Sequence, residues 1–191
     1  MITDRLKEQT KNNHDRLEKK LDIFEHLVTV ETYTELLKKM YFFYSPLEEN
    51  LKTISKDLPP HYKVKAPLLK KDLQQLGVDL ESLHSQQTPM TLKCSNGADA
   101  FGILYVLEGS TMGGQVIYHH LQKKLGLSAE TGASFYFGYG SQTAQLWSVF
   151  KNYINNYSVS HPAQSDRMLS KADETFVYLE KWLCSESPNQ Q

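Results

Sequence analysis

Apolar residues recur at three- and four-residue intervals along nearly the whole chain, and that period specifies amphipathic helices. Leu6, Thr10, Leu17 and Leu21 line one side of a helix over 2–21. Tyr33, Leu36, Leu37, Met40 and Tyr44 do the same over 31–57. Pro46 is expected to kink that second helix, because proline removes a hydrogen bond and clashes with the preceding turn; Pro59-Pro60 ends it. A third helix is predicted from Pro67 to Leu76, stopped by Gly77. Residues 78–95 read mainly as loop, with a helical turn near 80–84. Ala98, Phe101, Gly102, Tyr105 and Val106 continue the helical spacing into a fourth helix from Gly97, which passes through GSTMGG, resumes as QVIYHHLQKKL and ends at Gly126. Two further helices are predicted over 141–157 and 161–185, Pro162 suiting a first turn, and the tail SESPNQQ reads as frayed. The aromatic, glycine-rich GASFYFGYG is the sole candidate strand, and a structured loop is the preferred reading. No linker or repeat divides the chain, so the expectation is one all-α domain over 1–191.

Composition narrows the function. With 191 residues the chain can bury a core without disulfides or structural metal. A net charge of −1 gives no support to general nucleic-acid or anionic-membrane binding. Cys94 and Cys184 form no CxxC pair and are expected as free thiols of a reducing cytoplasm. The first residues are too polar for a signal peptide, and no later stretch is apolar enough to span a bilayer, so a cytoplasmic location is expected. No HExxH, Cys/His cluster, GxSxG or phosphate loop is present.

Two segments carry the chemistry. In the first helix, Lys7, Thr10, Lys11 and His14 stand at i, i+3, i+4 and i+7 and share a face. Lys7 lies about 10 Å along the axis from His14. A planar metal-bearing ligand held at the imidazole would place an anionic edge near that lysine, a point charge suited to carboxylates. On spacing alone, both lysines are equally well read as solvated. His119 and His120 are adjacent and point apart; His26, His61, His84 and His161 stand beside loops or helix ends.

The second segment is LYVLEGSTMGGQVIYHHL, where Gly109, Gly113 and Gly114 interrupt an otherwise good helix at roughly 1 kcal/mol each relative to alanine. Close helix packing through the GxxxG spacing of Gly109 and Gly113, or a plain loop, would account for them. So would a flat ligand lying directly on the backbone, because glycine permits close approach. Ser110 and Thr111 would then offer hydroxyls to an ordered water.

Together these segments resemble the heme oxygenase family, particularly its bacterial biliverdin-producing branch. LKEQTKNNHDRLE resembles the family's proximal helix and LYVLEGSTMGGQVI its distal helix. The likeness continues in order through FYFGYG, TAQLWSVFKNYI and KADETFVYLEKWL. The resemblance implies an all-α bundle with heme sandwiched between a proximal and a kinked distal helix. It implies His14 as the axial ligand of the heme iron, with Lys7 and Tyr105 at the propionates and Lys11 and Lys151 as further candidates there. Gly109, Gly113 and Gly114 would form the distal backbone, and Phe176 would belong to the distal wall. Ser110 falls where mammalian-type members carry an aspartate that anchors a distal water network; serine there is typical of bacterial members.

The implied activity is O2- and electron-dependent cleavage of heme to biliverdin, CO and ferrous iron. Heme is both substrate and cofactor, and a reductase or ferredoxin supplies electrons. A bilin-accepting photoreceptor or a biliverdin reductase would take the product. The leading alternative is a non-catalytic protein of the same fold that stores, transfers or senses heme. A helical relative acting on a thiamine-related compound or a metal pair is less well matched, since Glu108 has no histidine three residues on. A helical interaction module would leave the glycines without a use.

Overall fold

The computed structural model describes residues 1–54, 58–59, 61–83 and 92–185. The predicted last residues of the second helix, Pro60, His84 and the tail from 186 lie outside them. Among the described residues there are nine α-helices and no strand: α1 Ile2–Leu21, α2 Ile23–His26, α3 Val30–Lys52, α4 Ala66–Gln75, α5 Leu80–Leu83, α6 Gly97–Leu125, α7 Ser134–Phe137, α8 Thr143–Ser160 and α9 Ser165–Leu183. Single 3-10 turns at Gly140–Gln142 and Pro162–Gln164 lead into α8 and α9.

The centre of the fold is α9. It packs on both α1 and α6. Its buried stripe, Met168, Leu169, Ala172, Thr175, Phe176, Leu179 and Leu183, follows the helical period and makes one core with Leu6 and Leu17 of α1 and Phe101 to Leu107 of α6. Polar ties fix α1 on α9. Arg5 reaches Asp166 at 2.7 Å, Asn13 donates to Asp173, and Arg16 and Lys20 both reach the Glu180 carboxylate at 2.6 Å. Trp182 Nε1 donates to the Lys39 carbonyl at 2.7 Å, anchoring the end of α9 to α3. Pro46 is accommodated inside α3.

The long helix α6 differs from the interrupted helix expected. It runs unbroken through Gly109, Gly113 and Gly114 for 29 residues. Asn96 accepts from Asp99 N at 3.0 Å at its start, and Gly126 closes it in the left-handed region at φ 67°. Three glycines at roughly 1 kcal/mol each do not outweigh a first half buried on every side. The close-packing glycine is a different one. A Cβ on Gly102 would stand 2.6 Å from the Met168 carbonyl and 2.9 Å from Ala172 N, so α6 and α9 touch there backbone to backbone.

The aromatic segment, read as a structured loop, holds one turn of helix. Ser134–Phe137 forms one helical turn because Asp72, buried on α4, accepts from Ser134 N at 2.8 Å, Ser134 Oγ at 2.6 Å and Phe135 N at 2.8 Å. Tyr33 donates to the Gly132 carbonyl at 2.9 Å just before it. This clamp presses Phe135 and Tyr136 against α3 and α6.

Candidate functional site

His14 stands on the exposed side of α1. Its ring meets the edge of Phe176 on α9, with centroids 5.7 Å apart and planes at 75°. Nδ1 faces two carboxylates, Glu18 at 3.7 Å and Asp15 at 3.8 Å, which is ion-pair range. Carboxylates on one ring nitrogen orient an imidazole and leave the other for a metal. Glu18, at i+4 from His14, was not singled out in the sequence reading, although its spacing was there to be read. Phe176, expected on the distal wall, packs beside His14.

One turn beyond His14 on the same face, Leu17, followed by Leu21, lines a cleft of about 120 Å³. Leu36 and Met40 of α3 and Leu179 and Leu183 of α9 form its apolar walls, and Phe135 and Tyr136 close one side. Ser110, Thr111, Gly114 and Ile117 of α6 face α1 across it. Gly113 shares their helix face by its spacing. A Cβ there would meet nothing within 4 Å. At Gly109 and Gly114 the nearest atoms would be Trp147 at 3.5 Å and Tyr136 at 3.6 Å, ordinary contacts. Helix packing therefore explains none of these three glycines.

The α6 hydroxyls are already committed. Ser110 Oγ donates to the Leu107 carbonyl at 2.8 Å and lies 3.3 Å from the Tyr44 hydroxyl; Thr111 Oγ1 donates to the Glu108 carbonyl at 2.6 Å. Their oxygens remain acceptors. Burial pushes the Tyr44 phenol far up, with Ser110 opposing that shift.

At the N-terminal end of α1 the structure gathers several of the expected residues. Thr10 is buried, bonded to the Leu6 carbonyl at 2.8 Å, and acts on the Tyr105 hydroxyl. It has therefore turned inward from the strip that Lys7, Lys11 and His14 share. Burial raises the Tyr105 phenol and Thr10 partly offsets this. The Tyr105 ring lies 5.5 Å from that of Trp147, and Lys151 Nζ lies over Trp147 at 5.7 Å. The N-terminal ammonium first, then more weakly Lys151 and Lys7, holds the Asp4 carboxyl below its ordinary range, which places both lysines near this end of α1. Lys11 is ion-paired with Asp15 at 2.9 Å.

Behind α6 is a feature the sequence reading did not raise. Lys65, which lines the cleft, is bonded through Nζ to the buried Glu108 carboxylate. Tyr139 donates to the same Oε1 at 3.1 Å. No local pattern links residues 43 positions apart.

Residues 1–185 match the sequence profile of the heme oxygenase family. A curated relative, the heme oxygenase of Xanthomonas campestris pv. campestris (strain 8004), is 26% identical over 163 residues, covering 84% of this chain and 93% of that protein. The fold is similar to that of the NO- and CO-bound heme oxygenase from Neisseria meningitidis, with a TM-score of 0.75, 23% identity and coverage of 100% of this chain and 98% of that one. Heme oxygenase 2 from Chlamydomonas reinhardtii, solved without heme, superposes with a TM-score of 0.83 at 20% identity over 99% of each chain. The heme oxygenase from Leptospira interrogans gives a TM-score of 0.77 at 18% identity over 96% of this chain and 98% of that one. An apolar cleft between a histidine-bearing helix and a glycine-rich one, a profile match over nearly every residue and a shared all-α fold agree: this chain belongs to the heme oxygenase family.

Proposed function

We propose that this chain, acting as a single domain, is an enzyme that uses O2 and electrons to open heme to biliverdin, CO and ferrous iron. The observation that carries the reading is the apolar cleft between the helix of His14 and α6, whose α6 wall includes Gly114, with Gly113 next to it on the helix and nothing within 4 Å of a Cβ there. A flat macrocycle needs such a slot. The residues present suit it: one imidazole, an apolar interior, a side-chain-free patch of helix and a cationic mouth.

His14 would hold the iron through the ring nitrogen turned away from Glu18 and Asp15. Phe176 braces the ring edge-on and limits its rotation. Lys7, Lys151 and Tyr105 would take the propionate carboxylates, Lys11 being drawn off by Asp15. Leu36, Met40, Leu179 and Leu183 exclude water from the buried edge. Gly109, Gly113 and Gly114 would bring the α6 backbone over the ring, and the acceptor oxygens of Ser110 and Thr111 would order water there. Bound heme supplies the redox-active iron and is also the molecule consumed.

The electron donor would be a reductase or ferredoxin, and the product would pass to a biliverdin reductase or a bilin-accepting photoreceptor. Among the described residues no helix is long and apolar enough to cross a membrane; we place the protein in the cytoplasm. The test is incubation of heme-loaded protein with reductant and O2. Growth of a biliverdin absorption band with release of CO is expected. Stable binding without either product would assign the chain to heme storage, transfer or sensing. His14→Ala is expected to lose the histidine-ligated absorption spectrum, and an unchanged spectrum would remove His14 from the site.

A further inference from the structure

Four residues lining the cleft carry a side-chain hydrogen-bond donor: Lys65, Ser110, Thr111 and Tyr136. Three are already engaged. The Lys65 ammonium donates to the Lys63 carbonyl at 3.4 Å, to the Tyr139 hydroxyl at 3.5 Å and to the Glu108 carboxylate. Ser110 and Thr111 give their protons to the Leu107 and Glu108 carbonyls. The Tyr136 hydroxyl donates to no described residue, yet it is not one of the two polar atoms sealed from solvent without a partner, Glu108 Oε2 and His61 Nε2. It therefore keeps a small open surface, and Tyr136, only 6% exposed, lines the cleft.

The ring that carries this hydroxyl is held from several sides. The turn α7 is grasped at both ends: Asp72 of α4 accepts from Ser134 N and Phe135 N, both at 2.8 Å, and Gln115 Nε2 of α6 donates to the Tyr136 carbonyl at 3.3 Å and the Phe137 carbonyl at 2.9 Å. The Tyr136 ring meets Phe135 edge-on, with centroids 5.0 Å apart and planes at 78°, and leans on Tyr33 at 6.2 Å. A Cβ on Gly114 would stand 3.6 Å from Tyr136 Cδ1, so the ring borders the glycine face of α6. Burial pushes the phenol far up, which keeps the proton on its oxygen. A fixed aromatic with one unengaged donor, set in an apolar wall, is how a cleft orients and selects a ligand. A ligand that fills the cleft without offering an acceptor strands that donor, which costs affinity.

We propose that Tyr136 is a specificity-determining residue whose hydroxyl donates a hydrogen bond to a carbonyl oxygen of the ring-opened tetrapyrrole. The assignment rests on the oxygenase reading. Closed heme carries hydrocarbon along its edge apart from two propionates, and those are assigned to the far end of α1, by Lys7, Lys151 and Tyr105. Heme thus brings no acceptor to Tyr136. Opening the ring leaves a carbonyl oxygen on each side of the cut. A carbonyl enclosed in an apolar cleft loses affinity unless it is hydrogen-bonded. Ser110, Thr111 and Lys65 have no proton left to offer it. Tyr136 has one, and the donated proton stays on the phenol oxygen throughout. The same hydroxyl therefore tells product from substrate: it is stranded beneath the closed ring and satisfied by the open one.

The test is direct binding to heme-free protein. Wild type and Tyr136→Phe are titrated with biliverdin and, separately, with heme; the exchange keeps the ring and removes only the hydroxyl. The ratio of biliverdin affinity to heme affinity is expected to fall roughly three- to tenfold in the variant, the size of one neutral hydrogen bond. An equal loss of both affinities marks a packing role and overturns the assignment, as does no loss of either. The infrared carbonyl band of bound biliverdin is expected to move to higher frequency in Tyr136→Phe, because a hydrogen bond weakens the C=O bond; an unmoved band overturns the contact. If Tyr136→Phe fails to fold, wild type decides: its bound biliverdin should show a carbonyl band below that of biliverdin in a solvent without hydrogen-bond donors, and a band at the solvent position overturns the proposal. A wild-type protein that binds biliverdin but never opens heme defeats the oxygenase reading instead, while the affinity ratio still reports on Tyr136.

Discussion

Gly113→Ala separates a ligand-binding role from a structural one. Gly113 is exposed, helical and 16 residues inside α6, and a Cβ there meets nothing within 4 Å. Alanine should therefore add only helix propensity, about 0.8–1.0 kcal/mol. For a chain of this size that corresponds to a rise in melting temperature of roughly 2–4 °C. Heme-free protein, followed by circular dichroism on heating and in urea, is expected to show this gain. Heme-loaded protein is expected to behave oppositely. A methyl pressed into a filled slot costs roughly 1–3 kcal/mol, so heme affinity should weaken roughly five- to hundredfold, and ring opening should slow with it. A more stable apoprotein with a less capable holoprotein is the signature of a residue kept for function. If Gly113→Ala stabilises the fold and also opens heme at the wild-type rate, the glycine is not there for the ligand and the reasoning fails.

Two further substitutions probe the scaffold. Gly102→Ala places a Cβ 2.6 Å from the Met168 carbonyl, 2.8 Å from Lys171 Cβ and 2.9 Å from Ala172 N; a net loss of about 1–3 kcal/mol in urea unfolding is expected despite the gain in propensity, and a stabilised protein would contradict the α6–α9 contact. Glu180→Gln weakens the tie between α1 and α9 by about 1 kcal/mol at neutral pH, modest because Arg16 and Lys20 are half-exposed. The Lys20 hydrogen bond, then Arg16, holds the Glu180 carboxyl below its ordinary 4.5 against the opposing effect of burial. That stability is present above the unfolded pKa and disappears as pH falls through the folded one. Wild type and variant should thus differ in urea midpoint at pH 7 and converge in acid; a constant difference would refute the assignment.

How far the sequence could be read follows from the range of each interaction. The stripes on α1, α3 and α9 are local, and their period is enough to place them. His14 and the exposed lysine strip are legible for the same reason. Thr10 fits two spacings, that of the lysine strip and that of the Leu6–Leu17 stripe, and it is the second that the packed helix follows, burying Thr10 against Tyr105. Gly102 and Gly113 look alike in the sequence, because only the distance to α9 tells a packing glycine from an open one. The turn at Ser134 depends on Asp72, 62 residues earlier. The Lys65–Glu108 pair likewise joins a loop to a helix across the core. Such contacts leave no periodic trace.

The cleft owes its width to α9. The His14 helix and the Gly113 helix each pack on it. Backbone contact at Gly102 sets the height of α6, and the Glu180 bridges with the Asn13–Asp173 bond set that of α1. The separation between an imidazole on one helix and a bare backbone on the other is thus fixed by two interfaces that need not touch the ligand. A packed interface yields in steps rather than smoothly, so a small displacement at either would change the slot. Gly102→Ala, which pushes α6 away from α9, should then loosen heme binding from outside the cleft. Glu180→Gln, which frees α1 at Arg16 and Lys20, should broaden the signals of His14 before it lowers the melting temperature appreciably. The residues that tune such a site lie along α9 as much as at the ring itself.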